Sequence, residues 1–234
     1  MDSPVTTQWI ALGTQPGFGA HLALPPGGSG PGLLLLQEIF GVNPHIRGVA
    51  EQYALAGFVV LAPDVFWRQA PGIELGYEGA DRQQAMALMG ALKPDEVLAD
   101  LHTATAALRA RPEVAGRKVG AIGYCMGGRL AFNAAARCGV DAAVAYYGGG
   151  IQGQLDLAPK IGCPVQFHYG ERDDHIPLTA VEQVRQAMAG KPHEIHVYPG
   201  ALHGFNCWAR GSYHAGSAAL ALGRSLQFLA TQLF

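Results

Sequence analysis

Charge is scarce in this sequence, and clustered charge scarcer still: 15% of the 234 residues are charged, the formal net charge is −2, and no run of Lys and Arg occurs. Phosphate-rich surfaces are held by concentrated positive charge, so nucleic acid and anionic membrane are excluded as main partners, and a small molecule is expected. No apolar stretch approaches the roughly 20 residues that cross a bilayer. The opening MDSPVTTQWI lacks the basic start and apolar centre of a secretory signal, so a cytoplasmic location is expected. The four cysteines (Cys125, Cys138, Cys163 and Cys207) form no CxxC pair, which argues against a zinc ribbon or a thioredoxin-like motif and for reduced thiols. No HExxH helix is present, and although His193, Glu194 and His196 stand close in sequence, Glu194 and His196 alternate onto one face of an expected strand, so no metal ion is expected. Internal repeats and low-complexity segments are absent as well.

What the chain has is apolar material: 49% of residues are hydrophobic, enough for the core of one large α/β domain spanning residues 1–234. The stretch most dense in chemical information is GAIGYCMGG, Gly120 to Gly128. An apolar run from Lys118 to Ile122 reads as a buried strand, and RLAFNAAARC, Arg129 to Cys138, reads as a helix. Between them stands Gly-x-Cys-x-Gly, a nucleophile elbow with sulfur in place of the serine oxygen. Strand and helix pass closely there, which requires small residues two before and two after the nucleophile, and Gly123 and Gly127 supply them. The helix N-terminus behind the turn offers unpaired N–H groups and a partial positive charge, favouring a thiolate and an oxyanion.

Around the elbow the pattern is strand and helix in alternation. Thr7–Leu12 and Ala20–Leu24 read as an antiparallel edge hairpin. Gly32–Leu36, with four consecutive leucines, reads as a strand buried on both faces, and Glu38 follows at its C-terminal end, where ligands of open α/β sheets gather. Asn43-Pro44 is an N-cap and N1 pair that starts a helix to about Ala56. Phe58–Ala62 is the next strand. Val65–Gly79 has little periodicity and reads as a long excursion forming a lid or pocket rim. Helices are expected over Asp81–Leu92, with Arg82 in the first turn, and over Pro94–Arg109. Strands at Ala142–Tyr147, Pro164–Tyr169 and Glu194–Tyr198, with helices at Leu178–Ala189 and Ser212–Leu233, complete about eight mostly parallel strands with helices on both faces.

A thiol nucleophile needs an imidazole to take its proton and a carboxylate to hold the imidazolium. The chain offers Cys125, then Asp173 or Asp174, then His203, each after an expected strand and in the order used by α/β-hydrolases. Asp173 is preferred because it comes first after the Gly170 turn, although its neighbour Asp174 stays open. His203 is preferred over His168, His193, His196 and His214 because it sits in a glycine-flanked loop after the last strand.

At these residues the chain resembles the dienelactone hydrolases, cysteine members of the α/β-hydrolase superfamily. The likeness runs from about Leu33 to the C-terminal helix through QEIFGVN (Gln37–Asn43), APDVFWRQAPG (Ala62–Gly72), GYCMGG (Gly123–Gly128), AYYGGG (Ala145–Gly150) and HGF (His203–Phe205). It implies an α/β-hydrolase fold and a Cys125–His203–Asp173 triad. Backbone N–H groups of Ile39 and Met126 would form the oxyanion hole, and Glu38 would control when the Cys125 thiolate forms. Arg82, Phe40 and Tyr146 would contact substrate, and no cofactor is implied. The expected activity is hydrolysis of an unsaturated lactone or ester in aromatic-compound degradation, by a monomer. The alternative is a carboxylesterase or thioesterase with a neutral substrate. A non-catalytic relative is disfavoured by the intact triad. An amidotransferase would place its acid two residues after the histidine, where Phe205 stands. Three departures mark this chain. The family's second carboxylate-binding arginine, four residues after the histidine, is Cys207, with Arg210 as the candidate replacement. Two aromatic pocket positions are Met86 and Met89, and the serine after the histidine is Gly204.

Overall fold

The computed structural model describes residues 4–234; Met1, Asp2 and Ser3, which the expected 1–234 domain includes, lie outside the described residues. Among the described residues eight strands are formed: β1 (Thr6–Ala11), β2 (Gly19–Leu24), β3 (Gly32–Leu36), β4 (Val59–Pro63), β5 (Val119–Tyr124), β6 (Ala142–Tyr146), β7 (Val165–Gly170) and β8 (His193–Tyr198). They join one sheet in the order β1-β2-β4-β3-β5-β6-β7-β8. The hairpin β1–β2 and its junction with β4 are antiparallel, and the five remaining pairings are parallel. The helices are α1 (Pro44–Leu55), α2 (Gly79–Gly90), α3 (Pro94–Arg109), α4 (Met126–Arg137), α5 (Leu178–Ala187) and α6 (Ala215–Leu233).

The leucine run of β3 is buried along its whole length, as are β4 to β7, because each of these strands lies between two others with helices above and below. From β3 the chain steps through α1 to β4 on one side; from β4 it returns past β3 to β5 and continues outward. Crossovers in such sheets are right-handed, so reversing the direction moves the helices to the opposite face. The reversal occurs between β3 and β5, and the crevice at the C-terminal ends of these strands is the switch point where open α/β sheets bind ligands. Strand order, parallel core and antiparallel edge together are those of the α/β-hydrolase fold.

Helix α2 runs two residues earlier than expected, and larger differences occur at α4, at α6 and in the β6–β7 connection. Helix α4 starts at Met126 rather than Arg129, because Gly127 and Gly128, poor helix formers by propensity, are held helical by close packing. Helix α6 starts at Ala215 rather than Ser212, where the His214 side chain accepts from the Ser217 N–H as a cap. Two short 3₁₀ helices, Ile151–Gly153 and Leu155–Lys160, fill the β6–β7 connection, where Gly148 to Gly150 and Pro159 conceal any regular pattern. Among the described residues, no helix is long and apolar enough to cross a membrane.

Candidate active site

The elbow is built by contact distance. Cys125 has φ 56° and ψ −117°, a left-handed conformation that strains a residue with a side chain. A Cβ on Gly123 would stand 1.9 Å from the Gly127 carbonyl oxygen, and one on Gly127 would stand 2.0 Å from the Leu36 carbonyl oxygen. Only glycine lets β5, α4 and the end of β3 meet, and that approach fixes the half-buried thiol at the switch point. Met126 opens α4, so its N–H is among the first-turn donors with no acceptor inside the helix.

From β8 the loop Pro199–Gly204 brings His203 back over the sheet. Its Nε2 lies 3.1 Å from Cys125 Sγ, and its Nδ1 lies 2.8 Å from Asp173 Oδ2. Asp173 Oδ1 in turn accepts from the N–H groups of His175 and Ile176, at 2.9 and 3.1 Å. Burial alone would discharge His203, yet the hydrogen bonds to Asp173 and Cys125 outweigh it and push its pKa up to about 10. Asp174 is exposed and faces the His175 ring, which resolves the choice between neighbouring acids by geometry. The four histidines weighed against His203 are engaged elsewhere: His168 with Tyr198 and Gln166, His193 with the Lys191 carbonyl, His196 with Glu194, and His214 with Ser217.

Beside the triad lies Glu38, buried after β3. Its Oε1 is 3.3 Å from Arg210 Nη1, and burial raises its pKa, opposed by Arg210. Arg210, the candidate replacement for the arginine missing at Cys207, thus reaches Glu38 beside His203. Its guanidinium lies 5.8 Å from the ring centroids of Phe40 and Tyr77. It also packs over Gly204, where a Cβ would come within 2.4 Å of Nη1 and the backbone φ is +76°. Two of the departures thus belong together: loss of the side chain at position 204 makes the room that Arg210 occupies.

Arg82 and Arg210 line a pocket of about 350 Å³ with Tyr77, His175, Leu202 and His203. The segment before Arg82 is a rim pinned to the β3–α1 loop: Glu74 pairs with Gly41 and accepts from Arg47 at 2.6 Å, and Asn43 donates to the Tyr77 hydroxyl at 3.0 Å. Ile39 and Phe40 follow Glu38 and are buried at that loop.

Tyr146, expected at the substrate, lies instead in the core: it is fully buried and its hydroxyl pairs with Ser225 Oγ at 2.8 Å. One residue further the chain turns, and Tyr147, at φ 34°, sets its ring 5.1 Å from that of His203. Strand alternation explains the exchange, since consecutive side chains point to opposite sides. Met86 is exposed, and Met89 lines a separate cavity with Leu92, Leu98, Arg129 and Asn133. Tyr147 and Tyr77 were not anticipated at the site; the Tyr-Tyr-Gly end of β6 was the available signal for the first.

The model of the dienelactone hydrolase family matches residues 18–233. The chain belongs to that family. It is 37% identical over 215 residues to carboxymethylenebutenolidase 1 of Cupriavidus pinatubonensis, covering 91% of each chain. To the carboxymethylenebutenolidase of Pseudomonas putida it is 36% identical over 228 residues, covering 96% of each. A solved structure from Klebsiella pneumoniae superposes with a TM-score of 0.86 at 32% identity, over 97% of this chain and 98% of that one. As a dienelactone hydrolase family member, the chain is a hydrolase acting on carboxylic ester or lactone bonds.

Proposed function

We propose that this single-domain hydrolase opens a carboxylate-bearing unsaturated lactone, of the dienelactone class converted to maleylacetate, through a Cys125–His203–Asp173 triad. The observation that carries the reading is the unbroken hydrogen-bonded line from Cys125 Sγ through both nitrogens of His203 to Asp173 Oδ2, at 3.1 and 2.8 Å. Cys125 Sγ attacks the lactone carbonyl, and the carbonyl oxygen becomes an anion held by the Ile39 and Met126 N–H groups. As the ring C–O bond breaks, His203 donates its Nε2 proton to the departing oxygen, leaving a thioester on Cys125. Water then gives a proton back to His203 as its oxygen attacks the thioester carbonyl. The C–S bond breaks, and the thiolate–imidazolium pair is restored. Asp173 keeps the imidazole oriented throughout.

Arg210 and Arg82 are the groups that would bind the substrate carboxylate. Because Arg210 is the ion-pair partner of Glu38, an incoming carboxylate competes for it and changes the field that Glu38 exerts at the thiol. The relatives named carboxymethylenebutenolidase support this choice of substrate.

The test is kcat/KM on a carboxylate-bearing dienelactone and on a neutral aryl acetate, with Cys125→Ala as the blank. The expected result is a clear preference for the dienelactone that Arg210→Met reduces by about tenfold or more, the value of one charge-assisted hydrogen bond. Preference for the neutral ester by the unaltered protein would replace this reading with the carboxylesterase one. Full activity in Cys125→Ala would remove the triad mechanism itself.

A further inference from the structure

Next to the triad, but outside its line of hydrogen bonds, three potential metal ligands converge. One oxygen of Glu38, one ring nitrogen of His45 and the sulfur of Cys207 lie within 4.8 Å of one another, and all three residues are buried. They come from separate places in the chain: the end of β3, the first turn of α1 and the loop beyond His203. A second observation bears on the same spot. Glu38 Oε2 and both nitrogens of His45 have no hydrogen-bond partner among the described residues, although Glu38 is 1% and His45 2% exposed. A buried polar atom without a partner is costly, and here three lie on two of the three converging side chains.

We propose that Glu38, His45 and Cys207 form a binding site for a divalent transition ion of the zinc class. A mixed set of carboxylate oxygen, imidazole nitrogen and thiolate sulfur suits such an ion, whereas magnesium and calcium take oxygen ligands almost exclusively. Tetrahedral bonds of about 2.0–2.3 Å put ligand atoms roughly 3.3–3.8 Å apart. A cluster within 4.8 Å therefore closes by at most about 1.5 Å, a distance that side-chain rotation covers. On binding, the Cys207 thiol proton passes to solvent. The thiolate and the Glu38 carboxylate then balance the two charges of the ion, and His45 adds a neutral lone pair. Glu38 contributes Oε2, the oxygen that Arg210 does not use. Entry is past Trp208, which is 44% exposed and covers His45 with its ring centroid 4.1 Å away.

Occupancy would hold the Glu38 carboxylate in place through Oε2, hinder the exchange of Arg210 from its Oε1 to substrate, and so slow hydrolysis. That consequence, unlike the site, rests on the functional reading above. Two other places could attract the same ion: the exposed Glu194–His196 pair and the triad itself.

The test is titration of cobalt(II) into the wild-type protein and into Cys125→Ser, Cys207→Ser, His45→Gln and His196→Ala variants. The readouts are tetrahedral d–d absorption and thiolate-to-cobalt charge transfer, with thermal unfolding as the check that each variant is folded. One equivalent is expected to saturate wild type, Cys125→Ser and His196→Ala. The charge-transfer band should vanish in Cys207→Ser, and affinity should fall roughly tenfold or more in His45→Gln. No spectrum in the wild type overturns the proposal, as does a band lost in Cys125→Ser and kept in Cys207→Ser. Should Cys207→Ser not fold, unchanged cobalt affinity in His45→Gln overturns it alone. A cobalt spectrum as expected, without slower hydrolysis on loading, would reject the role of Glu38 and leave the site standing.

Discussion

Two neighbouring groups of polar side chains at the sheet's C-terminal edge are buried to a similar depth and handled in opposite ways. In the triad, both nitrogens of His203 and both oxygens of Asp173 have partners between 2.8 and 3.1 Å. In the adjoining cluster, Glu38 Oε2, both His45 nitrogens and the Tyr147 hydroxyl have none among the described residues. A satisfied network is rigid and holds reacting atoms in one arrangement. An unsatisfied one keeps its polar atoms at high free energy, ready for whatever fills the position. On the functional reading proposed above, the difference separates a part of the site built for invariant chemistry from a part that responds to what is bound.

That contrast can be broken most sharply at Asp173. Asp173→Asn retains the shape but lets His203 take the wrong tautomer, and kcat is expected to fall about 10³–10⁴-fold with KM little changed, read by steady-state kinetics. Loss of only a fewfold would mean that the triad's full pairing serves stability rather than rate.

A second effect, on the order of a few kcal/mol, concerns stability against pH. The folded-state pKa of His203 is raised from 6.5 to about 10, so the folded protein binds this proton more tightly than the unfolded chain. The stabilisation is complete below about 6.5 and is lost as pH rises through about 10. Urea unfolding of wild type and His203→Gln across that range should show the stability difference shrinking as pH rises. A difference independent of pH would contradict the charged pairing.

The responsive side of the comparison is probed at Gly204. A Cβ there would meet Arg210 Nη1 at 2.4 Å, so Gly204→Ala should displace the guanidinium from Glu38. KM for the carboxylate-bearing substrate is expected to rise about tenfold, the equivalent of roughly 1.4 kcal/mol, with little change for a neutral ester. Equal losses on both substrates would show that the substitution damages the neighbouring His203 instead.

The smallest effect sharpens the contrast by its sign. Removing the unpartnered hydroxyl in Tyr147→Phe is expected to leave stability unchanged or raise it by up to about 1 kcal/mol in denaturant unfolding. A comparable change at a paired position should destabilise. A loss above 1 kcal/mol, well outside the expected range, would mean that the hydroxyl has a partner in solution.

The hydrogen-bonded line Cys125–His203–Asp173 joins residues that carry local sequence signals. The Gly-x-Cys-x-Gly elbow, the aspartate after β7 and the histidine after β8 are each marked by local chemistry that a strand-turn-helix pattern exposes. Tyr146 was misplaced because a strand's last residues alternate sides, and a turn at Tyr147 decides which one faces the site. Met86 and Met89 likewise lie on α2 at positions whose facing depends on how that helix docks, and Met89 turns to a cavity apart from the triad.

Local sequence dictates the alternation of strands and helices along the chain, the buried character of β3, and the tight turn at Cys125 with the two glycines it requires, because these follow from periodicity and from steric limits within a few residues. The choice of Asp173 over Asp174, the reach of Arg210 across Gly204 to Glu38, and the meeting of Glu38, His45 and Cys207 were decided only by tertiary structure. Those contacts join residues as much as 172 positions apart, and their existence depends on loop paths and side-chain directions that no local pattern encodes.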